Sequence, residues 1–366
     1  MVVALFAGCG GAPTVWAPAD AVDPWPMFRR EPRHGGDARD RGRLTWEVAW
    51  QVELDERVDA SPIVVAGGVV VATRKGTVVL LDPTTGDERA RMALGGDVWA
   101  TPAAARGVIV LGMRRGGAGE LIGLDARSLG VRWRRGVASG GFGAATVDGG
   151  AVRACNGEAL VSVDAGDGRE RARWPLGARC FGAPAIDGET IYVASRAGEL
   201  RAYDRARGVE RWRAVTSAGV ANDSGPVVAD GVVMIGSNDG HMYGFGTDGA
   251  PRWRVGDGDW TVSSPAIAAG LAVFGDDGDV VRAVRITDGT EVWRGEVGGD
   301  VASSAVVVGE HVVHGAHDGK VHAWRLRDGE PREAIDAGGK MFASPAVTAE
   351  GMVVIATHAG RVVAIR

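Results

Sequence analysis

Residues 225–253 read GPVVADGVVMIGSNDGHMYGFGTDGAPRW, and their punctuation decides the fold. Pro226-Val-Val is one apolar run, Val232 to Ser237 a second and His241 to Phe245 a third. They are separated by Asp230-Gly231 and Asn238-Asp239-Gly240, and Thr247-Asp248-Gly249 turns the chain once more before Arg252-Trp253-Arg254. Short apolar runs between Asx-Gly turns specify antiparallel hairpins, and nothing in the stretch has a helical period. The unit is therefore a four-stranded antiparallel sheet.

The same order returns along the chain. The Pro of the first strand, or the residue in its place, falls at Pro62, Pro102, Ala145, Pro184, Pro226, Pro265, Ala305 and Pro345, at intervals of 39 to 43 residues. A repeat of this length dictates a repeating architecture. One such sheet cannot bury both faces, whereas packing the units radially buries them against each other. The expectation is an all-β, eight-bladed β-propeller of four-stranded antiparallel blades filling residues 43–366. The eighth unit stops at Arg366 before its last strand, which would leave an unpaired edge. The stretch Thr45 to Val52 precedes the first Ser-Pro and is predicted to supply that strand and close the ring (about residues 45–52). Trp133, Trp212, Trp253 and Trp293 recur in the outer strand, where a large ring fills the gap between diverging blades.

Composition narrows the function. Of 366 residues, 45% are hydrophobic and 24% charged, and the net charge of −5 argues against a nucleic-acid partner. No segment reaches the ~18 apolar residues of a membrane-spanning helix. The start, Met1 to Cys9, is a short apolar run ending in Ala7-Gly8-Cys9. It resembles a bacterial lipobox, with Phe6 where Leu is usual, and implies lipidation at Cys9 as the only attachment to a membrane. No Lys or Arg precedes the run, which places the expected translation start upstream. Residues 1–9 are read as a truncated signal segment and 10–42 as a tether rich in Gly, Pro, Ala and Asp. Inside the tether lies W-P-M-F-R-R-E-P-R-H-G-G, residues 25–36.

Several groupings invite chemistry and have a plainer reading. His311, His314, His317 and His322 lie in one unit. His311 and His317 are separated by about 20 Å of strand, and a two-residue turn at Asp318-Gly319 would pair His314 with Ala323. No metal site is expected. Asp257-Gly-Asp259 and Asp276-Asp277-Gly278-Asp279 lack the rest of a calcium loop and read as hairpin turns. No G-x-S-x-G, H-E-x-x-H or Walker-type loop is present. Cys155 ends a second strand and Cys180 begins the next unit's first strand; both ends lie on one face of neighbouring blades, which makes a disulfide feasible.

Three residues before each Pro-equivalent stand Asp59, Trp99, Phe142, Phe181, Asp223, Val262, Ala302 and Phe342. One per blade, they should ring one mouth of the central channel, with Trp260 and Asn222 close by. Four aromatics with acidic neighbours either fill a wide channel or form a rim for a peptide or protein partner. Arg74, Lys75, Arg114, Arg115 and Arg196 sit at second-to-third-strand turns on the same face.

At D-x-x-T-G-x-x-x-W, as in Leu81 to Gly86, Tyr203 to Trp212 and Thr287 to Trp293, the chain resembles the pyrroloquinoline-quinone (PQQ)-type propeller repeat, over about nine tenths of its length. Residues 25–36 resemble the lead-in of bacterial proteins built from it. Within that family, quinoprotein dehydrogenases carry a vicinal Cys-Cys ring, a Ca²⁺ site and a catalytic Asp; this chain has no Cys-Cys pair and no C-x-x-C-H haem signature. The BamB-like lipoproteins of outer-membrane assembly are similar in length and carry a lipobox. The resemblance implies a non-catalytic scaffold on the periplasmic side of a bacterial envelope, a monomer within a complex of envelope proteins or peptides, with no cofactor. A PQQ-binding oxidoreductase or sensor is the alternative, and a surface glycan or peptide binder a further one.

Overall fold

The computed structural model describes residues 25–42, 44–137, 142–217 and 220–366. Eight four-stranded antiparallel sheets follow one another in sequence, each strand bonded to the next. In the fifth, Val227–Ala229, Val232–Ser237, His241–Gly246 and Pro251–Val255 are the four strands read from residues 225–253. The closing strand is Val48–Glu53, which pairs with Arg361–Ile365 in a register running from Val48↔Ile365 to Glu53↔Arg361. The first and last strands of the described residues thus share blade eight and complete its four-stranded sheet. No helix among the described residues is long and apolar enough to cross a membrane.

Blades are joined by two devices that the repeat encodes. The first is the outer tryptophan. Trp133, Trp212, Trp253 and Trp293 each reach the next blade and donate the indole N–H to a carbonyl there, Ala165, Thr247, Ile286 and Leu326, at 2.8 to 2.9 Å. The ring lies on the glycine of the next blade's D-x-x-T-G turn. A Cβ on Gly249, whose φ is +86°, would sit 2.8 Å from Trp212, and one on Gly329 2.6 Å from Trp293. Blade one has Ala90 where blades two, four, five and six have the tryptophan, and there the next blade's turn carries Leu129 at φ 58° in place of glycine; in blade three Trp174, two residues further on, takes the place and lies on Gly208. The bulky ring and the missing Cβ go together.

The second device is the hydroxyl of Ser-Pro. The backbone N–H of Gly225 donates to Ser264 Oγ, Ser264 to Ser304, Ser304 to Ser344, Ser344 to Ser61, and Ser61 to Thr101, at 2.9 to 3.2 Å. This belt runs round the channel through blades five to eight, one and two. Blades three and four have Ala144 and Ala183 at the equivalent positions. Across that same junction the structure joins Cys155 to Cys180, with Cα atoms 5.5 Å apart.

Two expectations need correction. In blade seven His314 pairs with His322, not Ala323. The turn is longer than two residues, closed by the Ala316 N–H on Lys320 O, so the register shifts by one. The larger correction concerns residues 10–42. From Trp25 onward the chain is not a tether: Trp25, Met27, Arg29, His34 and Ala38 are all buried. This lead-in winds round the channel in blade order. Trp25 exchanges backbone bonds with Val64 of blade one, and Pro26, Pro32, Arg33, Gly35 and Gly36 accept from Ala104, Ile186, Val228, Ile267 and Val307 of blades two and four to seven. In blade three the Val147 N–H donates to Met27 Sδ at 3.3 Å. Each donor stands two residues after its blade's Pro-equivalent. The innermost strands expose one edge of amides to the channel, and the lead-in covers it in seven blades.

Candidate functional site

The lead-in turns the channel into a blind funnel. Arg29 is its anchor, 2% exposed, and all five guanidinium N–H groups are used. Nε donates to His34 O at 2.7 Å, Nη1 to Ser264 O and Ala305 O at 3.2 and 2.6 Å, and Nη2 to Gly35 O and Pro265 O at 3.0 and 2.7 Å. Burial pulls its pKa down to about 9, partly offset by the charge of Glu31. His34 is fully buried, with Nδ1 3.2 Å from Pro226 O and Nε2 2.9 Å from Thr146 Oγ1. Burial outweighs the Pro226 bond, the Arg29 charge adds to it, and the pKa is held at about 3, so the ring is neutral. The Phe28 ring meets His34 edge-on at 5.8 Å and forms the funnel floor.

Above Phe28 the funnel has a cavity volume of about 230 Å³. Hydroxyls of the belt line the wall, among them Ser61, Thr101, Ser264, Ser304 and Ser344. Of the ring expected three residues before each Pro-equivalent, the structure brings Asp59, Trp99, Phe181, Asp223, Val262, Ala302 and Phe342 to this mouth. The side chain of Phe142 lies outside the described residues, as does Cys9. Trp260 does not line the funnel. It stands two residues before Val262, one shell further out, where its carbonyl accepts from the Asp277 N–H and its side chain is 56% exposed. Asn222 is buried, with Oδ1 on Thr216 Oγ1 at 3.0 Å.

Trp99 and Phe181 are held by charges, and Phe342 by neighbouring rings. The Arg74 and Arg114 guanidinium carbons lie 4.5 and 5.3 Å from the Trp99 ring centroid, and that of Arg196 lies 5.2 Å from Phe181. Phe342 sits between His317 and His358, at 4.4 and 5.3 Å between centroids. Asp59 pairs with Arg57 at 2.8 Å and His358 at 3.2 Å, and Asp223 with Arg196 at 3.1 Å. Cation–π contacts of this kind contribute roughly 0.5–1 kcal/mol each at exposed sites. They orient the Trp99 and Phe181 rings at the mouth, where Phe181 and Phe342 remain 36% and 41% exposed.

The floor, the hydroxyl belt and the paired histidines were not anticipated as parts of the site. Their signals lay in the W-P-M-F-R-x-x-P-x-H-x-G run and in the Ser of Ser-Pro. Among the described residues no three His, Cys, Asp or Glu side chains are grouped to hold a metal ion.

The family model of outer membrane protein assembly factor BamB matches residues 37–179 and 156–366. The chain belongs to this family. BamB of Moranella endobia (strain PCIT) is 30% identical over 115 residues, 30% of this chain and 29% of that protein, so the match spans under a third of the curated relative. The solved structure of BamB from Moraxella catarrhalis superimposes with a TM-score of 0.71 at 20% identity, covering 88% of this chain and 99% of that one. The quinohemoprotein alcohol dehydrogenase of Comamonas testosteroni gives 0.77 at 15% identity, with 95% and 81% covered. Both structural likenesses speak for the propeller fold.

Proposed function

We propose that this chain is a non-catalytic scaffold of the bacterial envelope that serves outer-membrane protein assembly and engages a protein partner at the funnel mouth. Membership of the BamB family carries the first part of this reading. The aromatic mouth supports the second: Trp99, Phe181 and Phe342 stand over a funnel closed beneath by Phe28, so a partner side chain can enter from one side only. Partly exposed aromatics around a concavity are the residue types that anchor protein interfaces. In this reading the protein is held at the membrane through Cys9 and acts as a monomer within a larger complex.

A quinone-dependent oxidoreductase is the second reading, favoured by the likeness to the Comamonas enzyme. The residues present fit such a group poorly. The funnel carboxylates Asp59 and Asp223 are tied to Arg57, His358 and Arg196, and the channel beneath is filled by Phe28 and Arg29. Affinity capture from envelope extract tests the proposal. The wild-type protein should retain outer-membrane assembly proteins and a Trp99→Ala/Phe181→Ala/Phe342→Ala variant should lose them. Stoichiometric quinone binding with Ca²⁺ and dye-linked alcohol oxidation would sink the scaffold reading.

A further inference from the structure

Charge is distributed unevenly round the mouth. Each blade offers equivalent positions there: the residue two before the ring position, and the two residues at the tip of the second-to-third-strand turn. The two shells are tied by one recurrent bond, from the tip N–H to the carbonyl of the earlier residue, as in Arg74 to Arg57, Arg196 to Arg179, Asp277 to Trp260 and His317 to Asp300. In blades one, two and four these positions hold Arg57, Arg74, Lys75, Arg114, Arg115, Arg179 and Arg196 against one carboxylate, Asp97. In blades five to seven they hold Asp239, Asp277, Asp300 and Asp318, and no Lys or Arg. In a ring of eight, blade two lies opposite blade six. A basic arc therefore faces an acidic arc across the aromatic funnel.

The acidic arc is short of partners. Asp277 Oδ1 and His317 Nε2 are buried without a hydrogen-bond partner in the protein. His317 uses Nδ1 on Asp300 at 2.9 Å, and its ring packs on Phe342. Burial, with Asp300 next in weight, pushes the Asp277 carboxyl up to about 6 against the opposing charge of His317; Asp276 and Asp259 add to the crowding. An added cation would relieve it. On the basic arc the cations outnumber their carboxylates: Asp59 is shared between Arg57 and Arg74 at 2.8 and 3.6 Å, Asp223 takes Arg196 at 3.1 Å and Asp97 takes Arg114 at 3.5 Å.

We propose that the mouth binds a polypeptide segment of opposed end charges: Asp or Glu over the Arg57/Arg74/Arg196 arc, an apolar or aromatic side chain in the funnel above Phe28, and Lys or Arg over Asp277 and Asp300. This rests on the mouth being the partner face. Polypeptide is the chemistry that supplies separated charges of both signs with an apolar centre. A glycan brings no cation, a nucleic acid brings anions throughout, and a zwitterionic lipid carries both charges on one headgroup. Opposed arcs also fix the direction in which the segment lies, the kind of selection that charge placement provides.

Fluorescence anisotropy with labelled peptides tests it. One peptide carries Glu at one end, Phe at the centre and Lys at the other; its controls have the same length and Phe but all Lys, all Glu, or Lys and Glu alternating. The bipolar peptide should bind at least about tenfold tighter than each control, and more weakly as salt rises. Asp277→Lys/Asp300→Lys should abolish that preference and favour the all-Glu peptide, and Arg74→Glu/Arg196→Glu should favour the all-Lys one. Equal binding of the alternating peptide, an unchanged preference in both reversal variants, or no binding of the bipolar peptide overturns the proposal. Envelope capture separates the two readings. If both reversal variants retain the wild-type partners while the triple-alanine variant loses them, the partner face stands and its bipolar reading falls. If the triple-alanine variant also retains them, the partner face falls.

Discussion

The backbone N–H of Ser344 donates to Ser61 Oγ at 2.9 Å, joining residues 283 positions apart. It is the link of the hydroxyl belt that ties blade eight to blade one, beside the strand pairing that closes the ring. Ser61→Ala would leave the Ser344 amide buried without its acceptor, at a cost of about 1–3 kcal/mol. We expect a lower denaturation midpoint for Ser61→Ala and little change for Ala183→Ser, at a junction where the belt is already interrupted. A midpoint for Ser61→Ala equal to wild type would mean that the belt is incidental to ring stability.

Arg29 makes a sharper case. Its five donors meet five carbonyls, from the lead-in itself and from blades six and seven. Lysine has three donors at a single point and cannot span them. Arg29→Lys should cost about 3–5 kcal/mol, the range for breaking a buried charged network. It should also expose residues 25–41 to limited proteolysis before the blades are cut. Protection equal to wild type would show that the lead-in is held mainly by its backbone bonds to the inner strands.

The blades were legible because each is specified locally, by Asx-Gly turns and runs such as Val232 to Ser237, and repeated. The closing strand was legible because a last unit ending at Arg366 lacked one. The mouth ring could be placed from a single rule, three residues before each Pro-equivalent. The lead-in was not legible. Trp25 to Ala38 has no period, because its contacts pass from blade to blade along the segment, and segments without period read as linkers. Its left-handed residues Arg29, Arg30 and His34, with φ of 59°, 71° and 63°, carry no Gly signal to mark the turns. The charge polarity of the mouth was hidden likewise, since its members lie far apart and align only once the ring is closed.

The docking of tryptophan on glycine gives a paired test. Gly249 and Gly231 both have positive φ, +86° and +75°. A Cβ at Gly231 meets nothing within 4 Å, whereas one at Gly249 would press on Trp212 at 2.8 Å. Gly231→Ala should therefore cost only the left-handed penalty of about 1–2 kcal/mol. Gly249→Ala should cost more and change the near-ultraviolet signal of Trp212. Equal melting points for the two variants would remove the packing explanation for the D-x-x-T-G glycine.

Acid should loosen the ring through two buried histidines. His314 is fully buried; Nε2 accepts from Trp324 Nε1 at 3.0 Å and Nδ1 faces Gly315 O at 3.2 Å, which describes a neutral ring. Burial first, then the neighbouring His322, holds its pKa at about 3 against the opposing Gly315 bond and Asp318, and His34 is held at about 3 too. Both values lie below the ordinary 6.5, so between pH 6.5 and 3 the unfolded chain binds protons that the folded one does not. Their contribution is complete above pH 6.5 and is lost as pH falls, by up to about 1.4 kcal/mol per pH unit for each ring. Asp277 acts oppositely: raised to about 6, it favours the folded state as pH falls through 6. Single variants separate these terms. His314→Gln and His34→Gln should each flatten the fall in melting temperature between pH 6.5 and 4.5, and Asp277→Asn should steepen it. A His314→Gln profile parallel to wild type would place the acid sensitivity elsewhere.

The Cys155–Cys180 link joins blades three and four, the middle one of the three junctions, from blade two to blade five, that the hydroxyl belt leaves out. It closes a loop of 25 residues, for which the chain-entropy model gives a stabilisation of roughly 3 kcal/mol. Cys155→Ser/Cys180→Ser should lower the melting temperature, and a reductant should lower that of the wild type to the same value while leaving the variant unchanged. Hydrogen exchange should quicken first in Phe142–Asp148 and Ala185–Asp187, the innermost strands of blades three and four, because the link ties these two blades. Two free thiols in the mass of the unreduced, exported protein would remove the link, and a uniform rise in exchange round the ring would remove its local role.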